Sequence, residues 1–341
     1  MKIGILSSGG DCPGINATIR GVGKTAVNHF GMEVIGIRDG FHGLLHNEFI
    51  PLDDKSLSGL LNLGGTILGT SREKPFNKLI SGSDDTTVKT IVDNYTELDL
   101  DCLVCIGGNG TQKTAYKLSQ LGLNVIGIPK TIDNDVYGTD FTFGFHTAVD
   151  IATEAIDRLH STASSHKRVM VIELMGHKAG WITLYAGMAG GADVILLPEL
   201  GFNINKVIEA ILNRAKKLKP HSIVAVAEGL QLDKIEKKVN SLASRLSGII
   251  EEKTGLETRE TILGYVQRGG SPSAFDRNLA TRMGGHATEL IAKGQFGRMV
   301  VLTKDRIKSA PLEKVAGKLK IVNPDHDLIV QGKRMGISFG V

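Results

Sequence analysis

Residues 102–130 read CLVCIGGNGTQKTAYKLSQLGLNVIGIPK, and their pattern is strand, helix, strand. CLVCIGG is apolar until its glycines, as suits a strand buried on both faces. TQKTAYKLSQLG has the mixed spacing of a helix, and NVIGIPK is a second apolar run ending at a proline. Two short strands joined by a helix make a βαβ unit, whose strands run parallel because the crossover returns the chain to the same end of the sheet.

The alternation extends in both directions. Before the unit come KIGILSS as a strand, INATIRGVGKTAVNHF as a helix, EVIGIRDG as a strand and TTVKTIVDNYTEL as a helix. After it, the long helical segment FTFGFHTAVDIATEAIDRLHSTASSH opens a second series. RVMVIELMG, ADVILLPE and HSIVAVAEG read as strands, and AGWITLYAGMAGG and NKVIEAILNRAKKL as helices between them. The expected fold is α/β, with two blocks of mostly parallel sheet covered on both faces and a boundary near Tyr137 to Thr142. A chain of 341 residues is long enough for two such domains. No short-period repeat or low-complexity tract interrupts them.

Composition narrows the function. Hydrophobic residues make up 41% and charged residues 22%, the balance of an ordinary globular protein. The net charge of +4 is dispersed along the chain, which argues against a nucleic-acid surface, and 5% aromatics argue against base stacking. Three cysteines are too few for a disulfide scaffold and suit a reducing compartment. Cys102 and Cys105 form C-x-x-C, but inside a strand an offset of three puts them on opposite faces, so they read as buried structural thiols. The sequence starts directly on a strand pattern without a signal-peptide layout, and no window approaches the ~20 apolar residues of a membrane span. The expectation is a cytoplasmic protein with neither membrane nor nucleic acid as partner.

Ligands of open α/β sheets bind beyond the carboxyl ends of strands. Five polar or glycine-rich groups fall there: Ser7–Asn16, Gly107–Thr111, Lys130–Asp135, Met175–Gly180 and Glu228, which suggests one cleft between two sheets. SSGGDCPGIN and GGNGT are glycine turns leading into helices. Each is read either as a phosphate cradle or as a plain tight turn. PKTIDND packs a lysine, a threonine and two aspartates together. An aspartate there can take a hydroxyl proton and a lysine can offset phosphoryl charge, whereas the bland reading is a self-bonded Asx-rich loop. Arg168, Arg259 and Arg268 are candidate sugar-phosphate clamps, since the guanidinium fork matches phosphate oxygens.

GGDCPGIN, GTSR, GGNGT, PKTIDNDVYGTD, SSHKRVMVIELMG, VAEG and LGYVQRGGSP, in that order, resemble 6-phosphofructokinase. The resemblance runs from Met1 to about Arg282 and more loosely to the end. It implies two Rossmann-like three-layer α/β/α domains with the active site in the cleft between them. The donor (ATP)-binding domain would be residues 1–141 plus approximately 257–307, and the fructose 6-phosphate-binding domain residues 142–256 plus approximately 308–341. It implies Mg²⁺-dependent transfer of the γ-phosphoryl group of ATP to the 1-hydroxyl of fructose 6-phosphate, in glycolysis. Gly10, Arg72, Glu73, Gly108, Asn109, Gly110 and Thr111 would hold the donor. Asp133 would be the general base, supported by Asp135, with Arg72 touching the transferring phosphoryl group and Thr131 binding the substrate. Thr131, Ile132, Asp133, Arg168, Met175, Gly176, His177, Glu228, Arg259, Tyr265 and Arg268 would surround the sugar phosphate. Arg168 and Arg259 would reach in from a neighbouring subunit, which implies a homo-oligomer, a dimer at least and a tetramer by preference.

Four positions depart from the commoner pattern. Lys130 stands where ATP users carry glycine and resembles the pyrophosphate-dependent branch, while Gly110 resembles ATP users, leaving room for adenosine. Together they resemble ATP-dependent enzymes related to the pyrophosphate branch. The pyrophosphate-dependent enzyme is the alternative, and a catalytically silent sugar-phosphate-binding subunit a more distant one. Asn109 replaces a magnesium-binding aspartate and is a weaker ligand, leaving Asp135 as the other metal candidate. Tyr265 and His177 replace a histidine and an arginine. Of the family's effector cations, Arg20, Lys24, Arg158 and Lys219 are kept or approximated, but His160 and Pro220 fall where cations are expected, which predicts weak or absent ADP and phosphoenolpyruvate regulation.

Overall fold

The computed structural model describes residues 1–73, 75–76, 84–231 and 241–341. Its strands are β1 (Lys2–Ser8), β2 (Glu33–Ile37), β3 (Phe49–Pro51), β4 (Cys102–Gly107), β5 (Val125–Pro129), β6 (Val169–Leu174), β7 (Val194–Leu196), β8 (Ser222–Ala227), β9 (Thr258–Ile262), β10 (Arg298–Thr303) and β11 (Arg306–Pro311). The chain divides into two compact units. The first comprises Met1–Thr131, Val136–His146 and Arg268–Leu319, and the second Ile132–Asp135, Thr147–Gln267 and Lys320–Val341.

The first unit holds a seven-stranded sheet in the order β11-β10-β5-β4-β1-β2-β3. Its interior pairs are parallel and only the outermost pairs, β10 with β11 and β2 with β3, are antiparallel. β4 and β5 are buried along their whole length, which is why they read as continuous apolar runs. Each fully buried Ile, Val or Leu contributes about 1.5–3 kcal/mol by leaving water. Register aligns the carboxyl ends: Ser8 lies opposite Gly107, and Gly107 opposite Pro129. Helices Ile15–Phe30 and Ala274–Ala292 pack so closely that a Cβ on Gly21 would stand 2.8 Å from the Thr281 carbonyl oxygen, and one on Gly284 would stand 2.7 Å from that of Thr18. Glycine on both faces is what lets the backbones meet.

The second unit holds a four-stranded, all-parallel sheet in the order β7-β8-β6-β9. Val171, Val224 and Val226 on the sheet join Ile208 and Ile211 of helix Ile204–Lys216 and Leu246 and Ile250 of helix Leu242–Thr254 in one core. The C-terminal segment extends the β7 edge, with Ile195 N donating to the Ser338 carbonyl at 2.9 Å.

The sequence reading overlooked β3, β9, β10, β11, the helices Leu242–Thr254 and Ala274–Ala292, and the short helices Phe41–His46, Leu312–Val315 and Asp327–Arg334. The chain returns to the first unit at Arg268 and leaves it after Leu319, because β9 pairs with β6 whereas β10 and β11 join the first sheet. Helix Asn109–Gln120 starts two residues earlier than its apolar spacing suggested, directly on the glycine turn.

Candidate active site

In the first unit the glycine-rich groups share one edge of the sheet. β1 runs into Gly9, which has a positive φ of 87°, and the turn ends at Gly14, the N-cap of helix Ile15–Phe30. Residues 66–71 strap this turn down. Ser7 Oγ donates to the Gly69 carbonyl at 2.9 Å, Thr70 Oγ1 to that of Gly9 at 2.6 Å, and Gly9 N to that of Ser71 at 2.9 Å. Arg72 follows the strap directly and is exposed. Glu73 faces His42, with Oε2 at 3.6 Å from Nδ1.

The neighbouring turn is built the same way. Thr111 Oγ1 donates to the Ser8 carbonyl at 3.3 Å, and Gln112 Nε2 donates to the carbonyls of Gly107 at 2.9 Å and Ile128 at 3.1 Å. Helix Asn109–Gln120 begins without a side-chain cap, so its first N–H groups are left to other acceptors. A Cβ built on Gly110 meets nothing within 4 Å. Lys130 is only 2% exposed, and its Nζ donates to the Gly10 carbonyl. Arg268 also packs here, its Nη1 donating to the Asp11 carbonyl at 3.3 Å. A Cβ on Gly10 would lie 2.6 Å from that same nitrogen. The arginine read as a sugar-phosphate clamp therefore lies against the Gly9–Gly14 turn of its own unit. Burial pushes the Cys12 thiol up to about 12, and Cys102 and Cys105 are fully buried and raised for the same reason, as expected of structural thiols.

Thr131, Asp133 and Asp135 are each under a tenth exposed, and Ile132 is fully buried. Thr142 Oγ1 donates to the Thr131 carbonyl at 2.7 Å. Between the two aspartates, Asn134 takes a left-handed φ of 51°, a conformation asparagine tolerates better than most residues. Its Oδ1 accepts from Lys320 Nζ at 2.9 Å, while Lys320 N donates to the Asp135 carbonyl at 2.8 Å. No local pattern pointed to this lysine, which lies 186 residues away from Asn134.

In the second unit, Met175, Gly176 and His177 form the turn after β6, with φ of 151° at Gly176 and 53° at His177. Glu228 follows β8 and accepts from Gly176 N at 3.2 Å and His177 N at 2.8 Å through one oxygen, so its carboxylate shapes the turn. Tyr265, in the helical turn Gly264–Arg268, is 73% exposed. Arg168 and Arg259 lie elsewhere. Arg168 precedes β6, and Arg259 sits early in β9, paired with Met170. At about 3.3 Å per residue, the length of β6 puts Arg168 roughly 20 Å from Met175. The two guanidiniums instead share Glu257, with Arg168 Nη2 at 2.8 Å and Arg259 Nη2 at 2.6 Å from Oε1. The hydrogen bond from Arg168 holds the Glu257 carboxyl below its ordinary range and raises Arg168 in turn. One chain thus brings Met175–His177 and Glu228 together, but not Arg168 and Arg259 with them.

Three of the effector-type positions have local partners. Lys24 pairs with Asp54, Arg158 with Glu154, and His160 Nδ1 lies 3.2 Å from His221 Nε2 while its Nε2 donates to the Gly190 carbonyl at 2.7 Å. Among the described residues, no cluster of three or more His, Cys, Asp and Glu side chains is grouped to hold a metal, and no helix is long and apolar enough to cross a membrane.

The phosphofructokinase family profile matches residues 2–291. This chain belongs to the phosphofructokinase family. A Bacteroides thetaiotaomicron relative, "ATP-dependent 6-phosphofructokinase 3", is 66% identical over 340 residues, covering 100% of both chains. A Streptomyces coelicolor relative, "Pyrophosphate--fructose 6-phosphate 1-phosphotransferase", is 46% identical, covering 95% of this chain and 97% of its own. Among solved structures, phosphofructokinase from Saccharomyces cerevisiae superposes with a TM-score of 0.81 at 31% identity, covering 92% of this chain. This chain spans 45% of that yeast chain.

Proposed function

We propose that this protein is an ATP-dependent 6-phosphofructokinase, transferring the γ-phosphoryl group of ATP to the 1-hydroxyl of fructose 6-phosphate in glycolysis, with fructose 1,6-bisphosphate and ADP as products. The observation that carries the reading is 66% identity, end to end, to a relative named for that activity. The open space at Gly110 supports ATP over pyrophosphate, because a side chain there would occupy room that adenosine needs. Lys130 favours the pyrophosphate reading. In this fold, however, its ammonium is bound to the Gly10 carbonyl, a role in shaping the donor turn that suits either donor.

Phosphoryl transfer asks the protein mainly for positioning and charge neutralisation. The N–H groups of the Gly10 turn and of Gly108–Thr111 receive the donor phosphates, and Arg72 neutralises the group in transit. Asp133 removes the proton of the attacking 1-hydroxyl, with Asp135 and Thr131 holding the turn and the sugar. Met175, Gly176, His177 and Tyr265 orient the sugar phosphate. Mg²⁺ supplies charge neutralisation to the donor phosphates. The Asp135 carboxylate would suit an ion that keeps most of its waters and takes few protein ligands, and the neutral Asn109 amide is a weaker ligand. Arg168 and Arg259 serve the site of a neighbouring subunit, so the active form is a homo-oligomer, a tetramer by preference. Their place at the opposite end of the sheet from Met175–His177 supports this sharing. Three free, buried thiols suit a cytoplasmic enzyme.

The deciding experiment gives the purified protein fructose 6-phosphate and Mg²⁺ with either ATP or pyrophosphate. Bisphosphate formation with ATP is expected. Turnover with pyrophosphate alone would overturn the donor assignment, and none with either would favour a silent sugar-phosphate-binding subunit. That last reading is opposed by the retention of Asp133 and Arg72.

A further inference from the structure

The turn that carries Asp133 is not held by its neighbours in sequence alone. Lys320 grips two consecutive residues of it: its ammonium donates to Asn134 Oδ1 at 2.9 Å and its backbone N–H to the Asp135 carbonyl at 2.8 Å. Lys320 is itself fixed from the other side. Trp181 Nε1 donates to the Lys320 carbonyl at 3.1 Å, and the ammonium stands 5.2 Å from the centre of the Trp181 ring. Two residues on, Val322 N donates to Glu199 Oε1 at 3.0 Å, the same oxygen that accepts from Gly180 N at 2.9 Å at the start of helix Trp181–Ala189. The C-terminal segment is thus stitched to the second unit on one side and to the turn on the other.

We propose that Lys320 is a positioning residue for the phosphoryl-transfer reaction, holding Asn134 in its left-handed conformation so that the flanking carboxylates keep their working directions. This rests on the assignment of Asp133 as base. An Asn134 that leaves φ of 51° rotates the peptides on either side and re-aims Asp133 and Asp135 together. A left-handed conformation is unfavourable outside glycine, somewhat less so for asparagine, so an outside grip is needed to keep it fully populated. The bond has a charged donor, the stronger class of hydrogen bond, and the aromatic ring beneath the ammonium limits its wandering. Lys320 lies beyond the family-matched stretch, which ends at residue 291, so a reading of family motifs passes over it.

The test compares wild type, Lys320→Met, Lys320→Arg, Asn134→Ala and the Lys320→Met/Asn134→Ala double variant in the full-length protein, by steady-state kinetics with fructose 6-phosphate, Mg²⁺ and each donor. Lys320→Met keeps an unbranched side chain of similar length and removes the ammonium, with both its bond to Asn134 and its contact with the Trp181 ring. It is expected to lower kcat about 30-fold while KM for both substrates stays within threefold, and Lys320→Arg is expected to recover to within fivefold of wild type. In the Asn134→Ala background the same change should alter kcat less than threefold, because the acceptor is already gone. A general packing role would not give that dependence on Asn134. Lys320→Met with kcat within twofold of wild type overturns the proposal, as does a loss that appears in KM or one undiminished by Asn134→Ala. If Lys320→Met does not fold, Asn134→Ala with wild-type kcat overturns it. Wild-type protein inactive with both donors marks failure of the functional assignment instead.

Discussion

Gly110 offers the sharpest separation of ligand effects from folding effects. A Cβ there meets nothing within 4 Å, so Gly110→Asp adds a carboxylate to open space. The residue is second in helix Asn109–Gln120. There aspartate gains a few tenths of a kcal/mol over glycine in helix propensity and about 0.3–1 kcal/mol from the N-terminal helix dipole. The free protein should therefore be unchanged or up to about 1 kcal/mol more stable. Towards ATP the substitution both fills the nucleoside space and sets like charge near the phosphates, an arrangement that costs several kcal/mol. At about 1.4 kcal/mol per tenfold, a penalty of roughly 3–4 kcal/mol lowers kcat/KM for ATP by about 10²–10³-fold. Pyrophosphate, which lacks the nucleoside, should suffer less than tenfold or be gained as a donor. The assay couples fructose 1,6-bisphosphate to aldolase, with thermal unfolding followed in parallel. ATP kcat/KM within threefold of wild type at unchanged Tm would refute the placement of adenosine beside Gly110. A fall in Tm of several degrees would refute the open space itself.

Three further outcomes are expected. Asp133→Ser should lower kcat by at least 10²–10³-fold while fructose 6-phosphate binding, measured by calorimetry, stays within a few-fold; retained turnover would remove Asp133 from the base role. A Cβ on Gly229 would stand 2.0 Å from the His177 carbonyl oxygen, so Gly229→Ala must displace the Met175–His177 turn. It should cost about 1–3 kcal/mol of stability and raise KM for the sugar phosphate about tenfold or more with a smaller effect on KM for ATP. Burial among Phe141, Phe145 and Phe275 lowers His146 to about 4. Its unfolded value lies near 6.5, so between those pH values the unfolded chain binds the extra proton. Its contribution is complete above pH 6.5 and is lost as the pH falls towards 4. After allowance for partial solvent access this removes roughly 1–2 kcal/mol between pH 7 and 5, read as a fall in the urea midpoint that His146→Phe flattens.

Much of the fold was legible because buried parallel strands write their own signal. β1, β4, β5, β6 and β8 are apolar runs closed by glycine or proline, and each surfaced as a strand in the sequence. β9 did not, because TRETI has a mostly polar pattern on an edge of the second sheet. RIKSAP is an antiparallel edge strand with no continuous apolar face. Of the site, the glycine turns were visible as local patterns, since a backbone that must approach something closely requires glycine wherever it occurs. Glu228 was placed correctly at a strand end, but its bonds to the Gly176 and His177 N–H groups are tertiary and leave no mark in spacing. The packing of Arg268 on Gly10 and the hold of Lys320 on Asn134 join residues at least 186 positions apart, and no periodicity encodes such a pairing.

The polarity of β6 has a consequence for inheritance. Its amino end carries Arg168 and its carboxyl end leads to Met175–His177, so under the proposed sharing each subunit contributes its two ends to two different reaction centres. A lesion at Arg168 then leaves its own chain's Asp133 intact and disables a neighbour's. In a cell expressing two defective alleles, one damaged at each end, mixed assemblies contain some centres built wholly from sound parts. Under that sharing, damage is distributed by the assembly, and two broken copies can sum to a working one.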